Sequence, residues 1–222
     1  KPANGVSAAQ LRKIMPAYYG MVKCIDDNVG KLIATLKSEG VLEKTIIVFT
    51  SDHGDLCGEH GRLNKGVPYE GSARVPFIVF APSCLPSGKV INEALTSVDF
   101  FPTIMTLLGA ESSQAVDGRD ASELLAGKAK NWHDVAFMRS TPNQPWLSAV
   151  TSRFKLVISE SDKPWLIDLQ ADPAEVVNLY GQSKHNLLIQ RLTEELRDYV
   201  RKHDDPHARI PEIKQQLFGT TN

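Results

Sequence analysis

The chain has 222 residues, 42% hydrophobic, 23% charged and 7% aromatic, which is globular composition and excludes a disordered, collagen-like or fibrous chain. Its 25 Lys+Arg against 26 Asp+Glu give a formal net charge of −1, which argues against nucleic acid or an anionic membrane as the main partner. No run approaches the ~18 apolar residues that span a bilayer.

The sequence opens on Lys1-Pro2-Ala3-Asn4-Gly5, without Met and without a basic start leading into an apolar run. The expectation is that a secretory signal was removed, or that the sequence begins partway along a longer protein. Cys24, Cys57 and Cys84 are too few for a disulfide framework and lack C-x-x-C spacing, so at most one disulfide is expected.

Over residues 8–38, Leu11, Ile14, Met15, Tyr18, Val22, Ile25, Val29, Leu32, Ile33 and Leu36 recur every three or four positions, the spacing of an amphipathic helix. Pro16 is expected to divide it into a short lead-in and a longer helix, and Gly40 to cap its end. Residues 45–50 form a β-branched and aromatic run suited to a strand buried on both faces, as in a parallel sheet flanked by helices. The polar cluster Ser51-Asp52-His53-Gly54-Asp55 follows at once, where open α/β sheets collect ligands. Residues 75–80 form a second such strand, with Pro76 near its start, and residues 82–88 a turn. Residues 97–103 lead into a helix with Ile104, Leu107 and Leu108 inward and Gly109 at its end.

After about residue 130 the pattern changes. Residues 135–139, 147–151, 154–159 and 165–169 are short strand candidates without intervening helices, and Thr151-Ser152-Arg153 marks a hairpin turn. They predict a small antiparallel sheet, followed by a helix over 187–202 with Leu188, Leu192, Leu196 and Val200 on one stripe and terminated by Asp204-Asp205-Pro206. The expected division is 1–130 and 131–222.

One cluster carries chemistry: Asp52-His53-Gly54-Asp55 through Gly58-Glu59-His60-Gly61, then Lys65 and Glu70. A carboxylate and an imidazole side by side at a strand end can turn toward one cation, and Gly54 lets the backbone leave sharply. Glu70 and Arg74 are expected to pair or to position the loop before the next strand. His133, His185, His203 and His207 lack ligand spacing and read as surface residues.

This segment resembles the sulfatases of the alkaline-phosphatase superfamily. The resemblance also runs through Tyr18-Tyr19-Gly20-Met21-Val22, Ile25-Asp26-Asp27-Asn28-Val29-Gly30, Arg74-Val75-Pro76, Val98-Asp99-Phe100-Phe101-Pro102-Thr103, Asp117-Gly118-Arg119 and the text from Leu166-Ile167-Asp168 to Asn178-Leu179. It implies an α/β fold: the C-terminal part of an alkaline-phosphatase-like sandwich, then a small antiparallel β-sheet packed with a helix. By the same resemblance Asp52 and His53 match the family's second pair of metal ligands, usually to calcium. Lys65, thirteen residues beyond Asp52, matches the lysine that contacts the sulfate ester and stabilises the leaving oxygen. His60 would line the same pocket, as a substrate contact or as a structural hydrogen bond.

The family's nucleophile, a formylglycine made from a Cys/Ser-x-Pro/Ala-Ser-Arg signature, is expected upstream of this chain. Cys84-Leu85-Pro86-Ser87-Gly88 nearly spells that signature, but Gly88 stands where the arginine belongs. Asp26-Asp27 resembles the family's other metal pair but lies mid-helix. The implied activity is hydrolysis of a sulfated small molecule or carbohydrate by a sulfuric ester hydrolase, periplasmic or secreted by analogy with bacterial relatives. Residues 1–222 alone are expected to be inactive, and to self-associate or occur as part of a longer protein. The alternatives are a phosphate or phosphonate monoester hydrolase of the same superfamily and a non-catalytic binding or structural module.

Overall fold

A computed structural model describes residues 5–110, 115–141 and 143–219. Helix α1 (Ala8–Ser38) begins where the Ser7 hydroxyl accepts the Gln10 amide and the Gln10 side chain accepts the Ser7 amide, a reciprocal cap that satisfies two otherwise orphaned donors. Gly40, at φ 68°, follows its last turn, a left-handed position that glycine fills without strain. Pro16 lies inside the helix and does not divide it. Proline removes one ladder bond, at about 3 kcal/mol, while the capped first turn and the long segment beyond keep theirs. The apolar stripe read from the sequence is present, yet α1 has no buried residue; Ile14, Val22, Ile25, Leu32 and Ile33 are exposed.

Strands β1 (Ile47–Thr50) and β2 (Phe77–Phe80) pair antiparallel, with Thr50 opposite Phe77. The expected parallel arrangement is thus corrected. The connection leaves and re-enters at the same end of the pair, so it is a loop closed on itself and not a crossover. Residue types show that a strand forms; they do not fix its neighbour's direction. Nor is the pair buried on both faces, since Phe49, Ile78 and Phe80 are exposed.

The chain divides into two compact units, 1–89 and 90–222. The stretch after residue 90 is tied to the segment that enters the second sheet. The Ala94 amide donates to Asp134 Oδ1 at 2.7 Å, and Arg119 Nη1 to the His133 carbonyl at 2.6 Å. Within this stretch lie α3 (Phe100–Leu107) and α4 (Ser122–Leu125). On α3 the fully buried residue is Thr103, and Leu108, expected inward, is 61% exposed. Thr103 turns inward because its hydroxyl donates to the Asp99 carbonyl at 2.6 Å and accepts the Ala121 amide at 2.9 Å.

Two segments of the family resemblance meet here in an ion pair whose carboxylate is buried. Asp99, 3% exposed, accepts from Arg119 Nη2 at 2.9 Å and from the Arg119 amide at 2.7 Å. Gly118 makes the approach possible, because a Cβ there would lie 1.8 Å from the Val98 carbonyl oxygen. These residues shape the fold.

Strands β3 (Ala136–Arg139), β4 (Trp146–Val150), β5 (Phe154–Ser159) and β6 (Trp165–Asp168) form an antiparallel meander in that order. The Thr151 amide donates to the Phe154 carbonyl at 2.8 Å, closing the expected hairpin. Val135, Leu147, Ala149, Leu156, Ile158 and Leu166 pack with Leu192, Leu196 and Val200 of α5 (Asn186–Lys202) and with Ile213 and Leu217 of α6 (Pro211–Phe218). Two helices therefore cover the sheet, where the sequence indicated one. His207, expected at the surface, is 2% exposed. Its Nδ1 lies 3.0 Å from Asp205 Oδ1 and its Nε2 3.4 Å from the Ser140 hydroxyl, so its polar atoms have the partners that burial demands.

Candidate active-site loop

Every candidate residue lies on the loop between β1 and β2. Asp52 and His53 follow Thr50 directly. Asp52 Oδ1 accepts the His53 amide at 2.9 Å and the Ser51 hydroxyl at 3.3 Å, while Oδ2 lies 3.4 Å from His53 Nε2. His53 Nδ1 sits 2.8 Å from the Gly54 carbonyl, which leaves Nε2 as the ring nitrogen on the Asp52 side. The side chains are 83% and 43% exposed respectively. The His53 amide is the main influence holding the Asp52 carboxyl below its ordinary value, so the group is a carboxylate at neutral pH.

Beyond the pair, the loop folds on itself. The Leu56 amide donates to the Asn64 carbonyl and the Gly58 amide to the Arg62 carbonyl, with Leu56 buried at 1%. Cys57, His60 and Asn64 have φ of 47°, 52° and 69°, left-handed conformations that non-glycine residues hold only when their surroundings impose them. Gly58 rests on α1: a Cβ there would lie 2.5 Å from a Leu11 methyl. The His60 ring stacks on Tyr69 at 3.6 Å between centroids. Burial, then Asp55, pushes the Cys57 thiol above its ordinary value.

Lys65 is exposed. The next residue, Gly66, donates its amide to the Ser72 hydroxyl at 3.0 Å. Ser72, 4% exposed, lies in the short helix α2 (Glu70–Ala73), and its carbonyl accepts the Gly54 amide at 2.9 Å. Gly54 packs against Gly71 so closely that a Cβ on it would lie 2.1 Å from the Gly71 carbonyl oxygen. Glu70 and Arg74 approach to 4.0 Å, the pairing expected of them. Neither Ser72 nor the Tyr69 stack is legible from residue order, since a single serine has neither periodicity nor ligand spacing. The adjacent Gly71, where close packing excludes a side chain, is the nearest hint.

Asp52 and His53 offer one carboxylate and one imidazole. Calcium takes about six to eight oxygens, and no group of three or more His, Cys, Asp or Glu is placed to hold a metal among the described residues. The pair fits as two ligands of a cation and not as a whole site. The three cysteines are free, with Cys24 and Cys84 exposed. Asp27 pairs with Lys23 on the exposed surface of α1, in keeping with a structural place for Asp26-Asp27.

Two family models match the sequence: "Sulfatase" over residues 3–110, and "N-sulphoglucosamine sulphohydrolase, C-terminal" over residues 58–202. The chain belongs to the sulfatase family of the alkaline-phosphatase superfamily. It is 32% identical to an arylsulfatase of Clostridium perfringens, across 89% of this chain and 40% of that protein. It is 30% identical to an N-acetylglucosamine-6-O-sulfatase of Bacteroides thetaiotaomicron, across 88% and 37%. The chain thus spans about two fifths of the length of these relatives.

Among solved structures, it resembles a protein in complex with its substrate D-glucosamine-2-N,6-O-disulfate, at TM-score 0.79 and 26% identity over 92% of this chain and 45% of that one. It also resembles the phosphonate monoester hydrolase of Agrobacterium radiobacter, at TM-score 0.76 and 28% identity over 89% and 43%. The fold is that of these α/β enzymes.

Proposed function

We propose that this chain supplies part of the active centre of a sulfuric ester hydrolase acting on a sulfated amino sugar. The observation that carries the reading is one loop presenting Asp52, His53 and Lys65 inside the matched sulfatase segment. The sulfated glucosamine held by one structural neighbour and the name of the Bacteroides relative support the choice of sugar.

In this reading the Asp52 carboxylate and His53 Nε2 are two ligands of a divalent cation, with calcium the family's usual choice. Such an ion, when bound, polarises the sulfate ester. Lys65 presents a fixed ammonium to the oxygen that gains charge as the S–O bond breaks. His60, stacked on Tyr69, holds the loop that carries this lysine. The formylglycine nucleophile and the other ligands come from outside residues 1–222, and that part of the fold covers the apolar side chains of α1, β1 and β2. By analogy with bacterial relatives, the enzyme would act in the periplasm or outside the cell.

The runner-up is phosphonate or phosphate monoester hydrolysis, favoured by the likeness to the Agrobacterium hydrolase. The test is a substrate comparison on the native protein, setting glucosamine 6-sulfate and an aryl sulfate against the matching phosphate and phosphonate monoesters. A kcat/KM at least about tenfold higher for the sulfates is expected. A preference for the phosphonate would overturn the reading.

A further inference from the structure

We infer that Ser72 is a positioning residue that sets Lys65 in register with Asp52 and His53; the inference rests on the sulfatase reading above. Ser72 makes two contacts to the two arms of the loop. Its carbonyl accepts the amide of Gly54, the residue after His53, at 2.9 Å. Its hydroxyl accepts the amide of Gly66, the residue after Lys65, at 3.0 Å. Both amides are thereby tied to atoms of one residue and lie within about 10 Å of each other.

The tether is suited to this work. Ser72 is 4% exposed, so water does not compete freely for its hydroxyl and the contact to Gly66 is hard to replace. It sits in a helical turn whose own bonds, Ser72 amide to Tyr69 carbonyl and Arg74 amide to Glu70 carbonyl, are both 2.9 Å. The close approach of Gly54 and Gly71 fixes the first arm against the same turn. The second arm is different. Lys65 is exposed, and Asn64 and Gly66 on either side of it have φ of 69° and 94°. Asn64, a non-glycine residue, holds that conformation only where its surroundings impose it, and the Ser72 hydroxyl is a neighbouring hold that a substitution can remove without adding an atom.

A lysine that stabilises a transition state must be placed closely, because a shift of about 1 Å in such a group costs up to about a hundredfold in rate. Ser72→Ala should therefore lower kcat for an aryl sulfate about ten- to a hundredfold and move KM little. Ser72→Thr keeps the hydroxyl and should recover most of the rate. Hydrogen-exchange mass spectrometry gives a readout independent of turnover. In Ser72→Ala the peptide containing Gly66 should exchange about tenfold faster or more, while peptides from α1 and β1, in the same compact unit, stay at the wild-type rate and show that unit to be folded.

The outcomes separate the two ideas when Lys65→Ala is assayed alongside. Unchanged exchange at Gly66, or faster exchange with undiminished kcat while Lys65→Ala is crippled, overturns the role of Ser72 and leaves the sulfatase reading standing. Wild-type kinetics in Lys65→Ala overturns the sulfatase role of the loop and the positioning role with it. Should Ser72→Ala lose protection in α1 and β1 too, Ser72→Thr decides by itself: full rate with slow Gly66 exchange supports the tether, and a rate as low as that of Lys65→Ala with slow exchange overturns it.

Discussion

Lys155 Nζ stands 2.5 Å from Glu175 Oε1, and the two side chains are 1% and 3% exposed. Lys155 lies on β5, an inner strand, opposite Val150 of β4 and Ile167 of β6. Glu175 reaches it from the turn after β6, where its own φ is 53°. The pair thus fastens the turn after β6, part of the sequence resemblance, to the middle of the sheet. Two ions taken out of water gain little over an apolar pair of equal volume, but an ion left alone there is costly. Lys155→Met should destabilise the protein by about 3–5 kcal/mol, and adding Glu175→Gln should recover more than half of that. Denaturant unfolding of the three proteins measures both; a single variant within about 0.5 kcal/mol of wild type would refute it.

A second pair sets the acid limit of the same sheet. Asp168 accepts from Arg153 Nη2 at 2.8 Å and from Nε at 3.1 Å, and its Oδ1 also receives the amides of Gln170 and Ala171. The Arg153 hydrogen bonds are the main reason its carboxyl is held below the ordinary value. At Asp134, burial acts in the opposite sense, but the Ala94 amide and the Ser152 hydroxyl and amide outweigh it and the carboxyl is again lowered. An unfolded aspartate titrates near 3.9. Below that value the unfolded chain binds protons before the folded one does, so the stabilisation is complete above about pH 4 and is lost as pH falls through the native values. The stability gap between wild type and Asp168→Asn should therefore be widest near about pH 6 and shrink toward about pH 3. A gap independent of pH would show that charge at Asp168 is immaterial.

The second unit was more legible than the first, for a physical reason. Its strands were found within one residue at each end, because both faces of the sheet are covered inside this chain and the apolar pattern reports that burial directly. In the first unit the same pattern on α1 and β1 marks surfaces that the described residues do not cover, so helix and strand were readable while partners and strand direction were not. The helix α6 was missed because its buried pair, Ile213 and Leu217, is too short a repeat to stand out in eight residues. His207 was misread because burial depends on Asp205 and Ser140, and only Asp205 is near it in sequence. At the candidate site, Asp52, His53 and Lys65 were visible through the family's text. Ser72 was not, since its role lies in two hydrogen bonds that no spacing encodes.

Lys65 separates function from stability. Its side chain is exposed, and removing such a lysine ordinarily changes stability by less than ~0.5 kcal/mol. A fixed charge on a leaving oxygen is worth a few kcal/mol, or about two to three decades in rate. Lys65→Ala in the native protein should therefore show kcat reduced about 100- to 1,000-fold with an unfolding midpoint close to wild type. Equal losses in both would make Lys65 a structural residue.

Residues 1–222 by themselves should not turn over sulfate esters. The reaction needs a nucleophile, a filled cation site and a cation on the leaving oxygen, and such groups act as a unit, so two cannot stand in for three. In the proposed reading Lys65 would answer the last need. In the same reading Asp52 and His53 would answer part of the second, with no cluster of three metal-binding side chains among the described residues. For the first, Cys84 is the nearest match. It is exposed in the turn after β2, where its amide donates to the Ala81 carbonyl at 3.0 Å, and Gly88, at φ 69°, stands in place of the signature's arginine. The exposed Ile25 and Leu32 of α1 and Ile78 of β2 favour contact with other apolar surface, so the isolated chain should elute above monomer mass on size exclusion. Purified 1–222 with calcium and a chromogenic aryl sulfate gives the decisive assay, with Lys65→Ala as its blank. Turnover above that blank would place the nucleophile within this chain, and loss of it in Cys84→Ala would identify the residue.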